Sequence, residues 1–326
     1  MAPGAVHGAR LDLLHLLTLM HIESPPLPLN VWVMRIAAPA LVLCLYFVVL
    51  FVIPRAGRKD DPERGARPLL TQEQSRELSD LCDTLMLQGK FEQALQPGLK
   101  LYQAYPENHV YARHLATMYN QLGRYKLEAQ FWERFREHAP RPVEACPNLA
   151  QAYENAEMWK DAVVSYEWCL TLEPNNTDSI FFLGRSLERD GQLDRAVDVY
   201  QKGLVVAPNH TDLRIGLARA LVHKGVLPQA RETIIRVLAE SPTNTDAMLV
   251  YGLLWMREGN LVKAREYLER GAKQSETYTD FHILLGQLSE RENKIAEALQ
   301  HYERALQLSP GNMAALRRRN VLRESQ

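Results

Sequence analysis

The sequence predicts an all-α protein built from about seven stacked helical hairpins. Prolines recur on a 34-residue grid, a small residue stands 24 positions before each grid slot, and an alanine usually stands 12 positions before it. A fixed period of this length indicates one supersecondary unit repeated along the chain. The grid prolines are Pro106, Pro140, Pro174, Pro208, Pro242 and Pro310, with Glu276 in the one remaining slot.

The first helix of each hairpin is marked by an apolar residue directly before the small one. We expect the apolar residues to form a buried ridge and the small residues to let two helix axes approach closely. The ridge is Leu81, Leu115, Leu149, Leu183, Leu217, Tyr251 and Leu285. The small residues are Cys82, Ala116, Ala150, Gly184, Ala218, Gly252 and Gly286.

Between the two helices of a hairpin the chain needs a residue that tolerates positive φ. The grid places Gly89, Gly123, Glu157, Gly191, Gly225, Gly259 and Asn293 there.

Two repeats look irregular. Glu128 occupies an alanine slot, and Ala129 beside it suggests a one-residue shift in the second repeat. Pro147 predicts that the first helix of the third repeat begins late, because proline is tolerated only in the first turn.

With these columns the chain resembles the tetratricopeptide repeat family over residues 75–312. The match is best in 143–176, 177–210 and 279–312, where for instance Gly184, Ala196, Tyr200 and Pro208 hold the expected positions. The resemblance implies a right-handed superhelical solenoid. Its seven repeats would span 75–108, 109–142, 143–176, 177–210, 211–244, 245–278 and 279–312.

Both ends of the predicted solenoid carry boundary signals. Thr71 followed by Gln74 is typical of a capping box at a helix start. Residues 313–326 predict a capping helix and tail, since polar Arg319 and Asn320 stand where another repeat would bury leucine and glycine. A lipid-binding or nucleic-acid-binding patch is the weaker interpretation, because the arginines of one short helix make a small footprint.

The run from Val31 to Ile53 predicts one transmembrane helix with Arg35 as its only charge. From Ile36 it offers about 27 Å of uncharged helix, enough to cross the hydrocarbon core. Residues 54–74 are charged and rich in proline and glycine, which favours a flexible linker. Residues 1–30 are predicted to be disordered or to lie at the membrane interface, because the apolar stretch from Leu11 to Ile22 is too short to span.

The orientation follows from charge. No small-residue cleavage site follows the apolar run, so we expect an uncleaved single-pass anchor. Arg55, Arg58, Lys59, Arg64 and Arg67 follow it, which favours cytoplasmic repeats at a bacterial inner membrane, with periplasmic repeats as the alternative. The four cysteines, Cys44, Cys82, Cys146 and Cys169, form no CxxC pair, and we expect buried small side chains, neither metal ligands nor disulfides.

No sequence motif of a catalytic, metal or nucleotide site occurs, so we expect no enzymatic activity, cofactor, metal or small-molecule substrate. The net charge of −1 gives no electrostatic argument for nucleic acid. The expected function is therefore that of a membrane-anchored scaffold or adaptor that binds partner proteins or peptides. The alternative is a non-catalytic regulatory subunit of a membrane-bound enzyme or envelope-assembly complex.

The resemblance also implies where partners bind, since positions two, five, six, nine, twelve and thirteen of each repeat line the concave groove in this family. Placed on this chain, those positions predict a groove of Arg113, Asn120, Asn148, Asn155, Phe181, Arg185, Arg189, Arg219, Leu249, Leu253 and Met256. The clamp for a partner's C-terminal carboxylate is not matched, because Asp178 and Phe182 break its pattern. Two interpretations stay open for Arg185 and Arg219. They hold a partly acidic peptide together with Asn148 and Phe181, or they pair with glutamates of the chain such as Glu154 and Glu188.

Overall fold

The computed structural model describes residues 70–324. The N-terminal segment 1–30, the predicted membrane segment 31–53 with Cys44, most of the linker 54–74 and residues 325–326 lie outside the described part. Within it, no helix is long and apolar enough to cross a membrane.

The described residues contain fifteen α-helices and no strand, arranged as seven hairpins and a final single helix. Each helix packs against the next one along the chain, which produces a solenoid. The helices are α1 Gln72–Leu87, α2 Phe91–Ala104, α3 His109–Gln121, α4 Tyr125–His138, α5 Cys146–Asn155, α6 Trp159–Leu172, α7 Thr177–Arg189, α8 Leu193–Val206, α9 Thr211–Lys224, α10 Leu227–Glu240, α11 Thr245–Arg257, α12 Leu261–Gln274, α13 Thr279–Arg291, α14 Ile295–Leu308 and α15 Met313–Glu324.

The turns inside the hairpins confirm the prediction of positive φ. All seven grid positions adopt it, from 57° at Glu157 to 88° at Gly225, and Asn293 is the other residue that is not glycine. This conformation ends the first helix of each hairpin sharply, so every hairpin has the same short turn.

Helix starts are fixed by side-chain caps. Asn108, Asn176 and Asn244, spaced by two repeats, accept hydrogen bonds from the first turns of α3, α7 and α11 at 2.8–3.0 Å. The predicted capping box of α1 is confirmed: Thr71 Oγ1 accepts from the Gln74 amide at 3.2 Å, and Gln74 Oε1 accepts from the Thr71 amide at 3.0 Å. The capping helix is confirmed as α15.

The small column and the apolar ridge build the core. A Cβ on Gly184 would lie 2.4 Å from Cε1 of the fully buried Tyr200, so glycine is required there for the two helices of the repeat to meet. The ridge is buried at six of its seven positions. Leu81 was expected to be buried but is 49% exposed, because α1 packs chiefly against α2 among the described helices.

The predicted one-residue shift in the second repeat is wrong. Helix α4 begins at Tyr125, 34 residues after Phe91 and 34 before Trp159, so the register is unbroken. Glu128 itself fills the alanine slot and is 3% exposed. Its carboxylate accepts hydrogen bonds from Asn120 Nδ2 at 3.0 Å and from Trp132 Nε1 at 3.3 Å, which makes the buried acid tolerable.

The third repeat does begin late, as Pro147 predicted. A 3-10 turn, Pro142–Ala145, replaces the first turn of the helix, and α5 starts at Cys146 without a side-chain cap. The expectation that no cysteine forms a disulfide is wrong. Cys146 at the start of α5 is bonded to Cys169 near the end of α6, because the hairpin brings these two ends together. Cys82 is free and buried, as expected.

Candidate functional site

A cavity of about 820 Å³ follows the first helices of repeats four to seven, α7, α9, α11 and α13. Its floor is aliphatic, with Leu249 and Leu253 from α11 and Ile283 and Leu284 from α13, all half-buried. We call this cavity the C-terminal groove. Its charged and polar lining residues are Arg185, Glu188, Arg189, Arg219, His223, Arg257, Tyr278, Asp280, Gln287, Arg291 and Asn312.

The C-terminal groove brings together part of the predicted site. Arg185, Arg189, Arg219, Leu249, Leu253 and Met256 line it, although Met256 is only 2% exposed. The predicted residues outside it are Arg113, Asn120, Asn148, Asn155 and Phe181.

Four of those outlying residues have side-chain contacts within the chain. Asn155 Oδ1 accepts a hydrogen bond from Gln151 Nε2 at 3.2 Å. Asn120 holds the buried carboxylate of Glu128. Asn148 donates to the backbone carbonyl of Glu144 at 3.3 Å. Phe181 lies edge-on to Phe182, with ring centroids 5.3 Å apart. These contacts involve part of the polar groups and the ring that are predicted to receive a peptide.

Arg185 and Arg219 are engaged by glutamates of the preceding repeat. Arg185 donates to Glu154, with Nη2 2.6 Å and Nε 3.3 Å from the carboxylate oxygens. Ser186 Oγ donates to the same carboxylate at 2.9 Å, and Tyr166 OH at 3.3 Å. Such a bidentate pair with a nearly buried glutamate joins α5 to α7.

The same arrangement recurs one repeat later. Arg219 Nε and Nη2 each lie 3.0 Å from Glu188, and Tyr200 OH donates to Glu188 at 2.7 Å. Desolvation by burial raises the pKa of Tyr200, and the charge of Glu188 raises it further. At the end of the solenoid, Glu290 accepts from Tyr302 and from Arg318 of α15.

We call these three groups the inter-repeat staples: Glu154–Tyr166–Arg185, Glu188–Tyr200–Arg219 and Glu290–Tyr302–Arg318. They support the second of the two interpretations of Arg185 and Arg219, namely pairing with Glu154 and Glu188. The guanidinium groups of Arg185 and Arg219 are therefore engaged in contacts that stabilise the solenoid.

Three other arginines of the groove differ. Within residues 70–324, Arg189, Arg257 and Arg291 have no carboxylate at ion-pair distance. Arg291 Nη1 donates to the carbonyl of Met256 at 2.7 Å, and Arg189 lies 5.9 Å from the ring centroid of Trp159. All three are exposed, so their remaining donors face solvent.

The charges of two of these arginines, Arg189 and Arg257, act on His223, which also lines the groove. Desolvation lowers the pKa of His223. The negative charge of Glu188 opposes this shift, while Arg257, Arg219 and Arg189 add to it. The pKa of His223 is thus lowered mainly by its burial, with charges of both signs acting on the imidazole.

The rule that assigns inner positions of each repeat to the groove also covers the lining residues that are absent from the predicted site. The inner positions of repeat seven, which the predicted groove does not include, hold Asp280, Ile283, Leu284, Gln287 and Arg291. Arg257 stands at position thirteen of repeat six, the position that Arg189 holds in repeat four.

Comparison with known proteins decides the family. The family profile of the tetratricopeptide repeat matches residues 63–285, and a second profile of the same repeat matches 279–312. The chain belongs to the tetratricopeptide repeat family. Proteins of this family generally mediate protein–protein interactions and are typically non-catalytic scaffolds. No curated protein matches the sequence.

Solved structures support the fold. A tetratricopeptide repeat protein from Parabacteroides merdae is 15% identical over 77% of this chain and 99% of its own, with a TM-score of 0.67. TTC0263 from Thermus thermophilus is 19% identical over 55% of this chain and 98% of its own, with a TM-score of 0.51. Human IFIT1, solved as a dimer with m7Gppp-AAAA, is 17% identical over 79% of this chain and 66% of its own, with a TM-score of 0.52. At these identities the likeness shows the fold alone.

Proposed function

We propose that this tetratricopeptide repeat protein is a non-catalytic adaptor that holds a segment of a partner protein in the C-terminal groove. The observation that carries the proposal is the aliphatic floor. Leu249, Leu253, Ile283 and Leu284 are only half-buried and line an open cavity. Half-buried aliphatic side chains gathered in a cavity of this size are typical of a binding site, because their burial by a partner is favourable.

A charge placed on the floor tests the proposal. Leu253→Glu puts a carboxylate among the aliphatic side chains, whereas Val262→Glu puts the same charge at a residue of α12 that is 80% exposed and does not line the groove. Each full-length protein is purified with its bound partners, which are quantified by mass spectrometry. We expect Leu253→Glu to lose a defined set of partners that Val262→Glu retains. An identical set from both variants contradicts the proposal.

The regulatory-subunit alternative makes a different prediction. A regulatory subunit has one partner in fixed stoichiometry, whereas an adaptor has several partners that compete for the groove. Gel filtration of the purified complex distinguishes these two cases.

We further propose that residues 31–53 anchor the protein in a membrane. The apolar run supports this proposal, and the disulfide bears on the orientation. Disulfides persist in oxidising compartments and are rare in the cytosol, so the Cys146–Cys169 bond favours repeats on the non-cytoplasmic side. The positive residues after the run favour the opposite side. The disulfide favours the non-cytoplasmic side more strongly than the charges oppose it, because positive residues only bias insertion, whereas a reducing cytosol would cleave the disulfide.

Protease treatment of intact spheroplasts tests this orientation. Digestion of the repeats without lysis is expected, with a cytosolic protein as the control that must stay intact. Full protection of the repeats until lysis contradicts it.

A further inference from the structure

Four basic side chains occupy the same position of four consecutive repeats. Arg189, His223, Arg257 and Arg291 follow one another at 34-residue intervals, each in the last turn of a first helix. All four line the C-terminal groove, and α7, α9, α11 and α13 contact one another in that order. We call the three arginines of this row, Arg189, Arg257 and Arg291, the cationic ladder, and His223 holds the remaining position.

Helix ends explain only part of the ladder. A cation in the last turn of a helix interacts favourably with the helix dipole, but this leaves its hydrogen-bond donors available. The staples show what a committed arginine looks like in this protein: Arg185 and Arg219 each form a bidentate pair with a glutamate that is less than 9% exposed. Within the described residues, the ladder arginines have no such partner.

The charges in the groove do not cancel. The negative charge of Glu188 is balanced by Arg219, and the positive charge of Arg185 is balanced by Glu154. What remains among the lining residues is Asp280 against Arg189, Arg257 and Arg291. The groove therefore presents an excess of positive charge in a protein whose net charge is −1.

The ladder lies beside the aliphatic floor. Leu253 precedes Arg257 by four residues on α11, so both side chains lie on one face of that helix. On α13, Gln287 stands between Ile283 and Arg291 with the same spacing. A ligand along the first helices thus meets an aliphatic surface on one side and guanidinium groups on the other.

We propose that the cationic ladder binds the carboxylates of an acidic segment of a partner protein, whose aliphatic side chains rest on Leu253 and Leu284. The inference rests on the proposed function and specifies its ligand. Arginine pairs with carboxylates in bidentate geometry, which suits this ligand. A single-stranded nucleic acid also carries a row of anions, but its bases need aromatic platforms, and the floor of this groove is aliphatic.

Peptide selection tests the chemistry without knowledge of the natural partner. A random peptide display library is selected on the full-length protein in detergent, and the best peptides are measured by fluorescence anisotropy. We expect enrichment of aspartate and glutamate next to leucine, isoleucine or valine. Arg257→Gln with Arg291→Gln should weaken these peptides by about tenfold or more, since two charge-assisted contacts are lost.

The control removes the same charge elsewhere. Arg304→Gln with Arg317→Gln changes two exposed arginines that do not line the groove, and it should leave affinity within about twofold. Equal weakening by both double variants contradicts the ladder and indicates a general charge effect.

The remaining outcomes separate the ligand from the site. If selected peptides lack acidic residues yet Leu253→Glu abolishes their binding, the ladder inference is wrong and the groove proposal stands. If neither Leu253→Glu nor the ladder variant affects any selected peptide, both are wrong. If oligouridine binds through the ladder arginines and no peptide does, the ligand is a nucleic acid and the inference is overturned.

Discussion

The disulfide of the third repeat gives the most direct prediction about stability. Cys146 and Cys169 are separated by 23 residues, and their bond joins the uncapped start of α5 to the end of α6. In the chain-entropy description, closing a loop of this length in the unfolded state stabilises the protein by about 3 kcal/mol. For a folded region of this size, reduction should lower the thermal midpoint by roughly 6–12 °C.

The assay compares thermal unfolding by circular dichroism with and without a reducing agent. Cys146→Ala with Cys169→Ala should lower the midpoint of the oxidised protein to the same extent and make it insensitive to reductant. Cys82→Ala is the control, because Cys82 is free and its loss leaves the response to reductant unchanged. Equal thermal midpoints for the oxidised and the reduced wild-type protein contradict this prediction. It is also contradicted if Cys82, Cys146 and Cys169 all react as free thiols in the unreduced, denatured protein.

Three further predictions concern the staples, the core and four partly buried histidines. Arg219→Met should destabilise the protein by about 2 kcal/mol, since it leaves the nearly buried Glu188 without its cation. A double-mutant cycle with Glu188→Gln should give a far larger coupling energy than a cycle on the exposed pair Arg236–Glu232. Gly184→Ala should cost about 1–3 kcal/mol in urea unfolding, because its Cβ would collide with Tyr200, and an unchanged urea midpoint contradicts this. The free energy of unfolding should fall on acidification from pH 7.5 to 5.5. Burial lowers the folded-state pKa of four histidines, so the unfolded chain takes up more protons than the folded protein as the pH drops below about 6.5. A urea midpoint that is higher at pH 5.5 contradicts this prediction. These histidines are His114, His223, His282 and His301.

The features that the sequence predicted are those that depend on local backbone requirements. Positive φ at Glu157 and Asn293, the capping box at Thr71 and the late start after Pro147 each follow from what one or two residues can adopt. Repetition made the positions of positive φ recognisable, because a requirement that recurs every 34 residues stands out from chance.

The choice between the two interpretations of Arg185 could not be made from the sequence, because it depends on a partner distant along the chain. Arg185 and Arg189 lie one turn apart on α7, yet only Arg185 meets a glutamate, and that glutamate is 31 residues away. The shift expected at Glu128 is wrong for a different reason: Asn120 and Trp132, eight and four residues away, donate hydrogen bonds to the carboxylate and allow it to be buried in the alanine slot. Hairpin geometry did hold a signal for the disulfide, because it places the start of α5 beside the end of α6.

Site-specific photocrosslinking from the C-terminal groove tests the central claim most directly. Benzoylphenylalanine replaces Leu284 on the floor or, as the control, Val262 on the exposed side of α12. We predict that the floor position yields a discrete adduct with a partner protein, that Val262 does not, and that Arg257→Gln with Arg291→Gln weakens the adduct. The same adducts from both positions, or none from the floor, contradict the account.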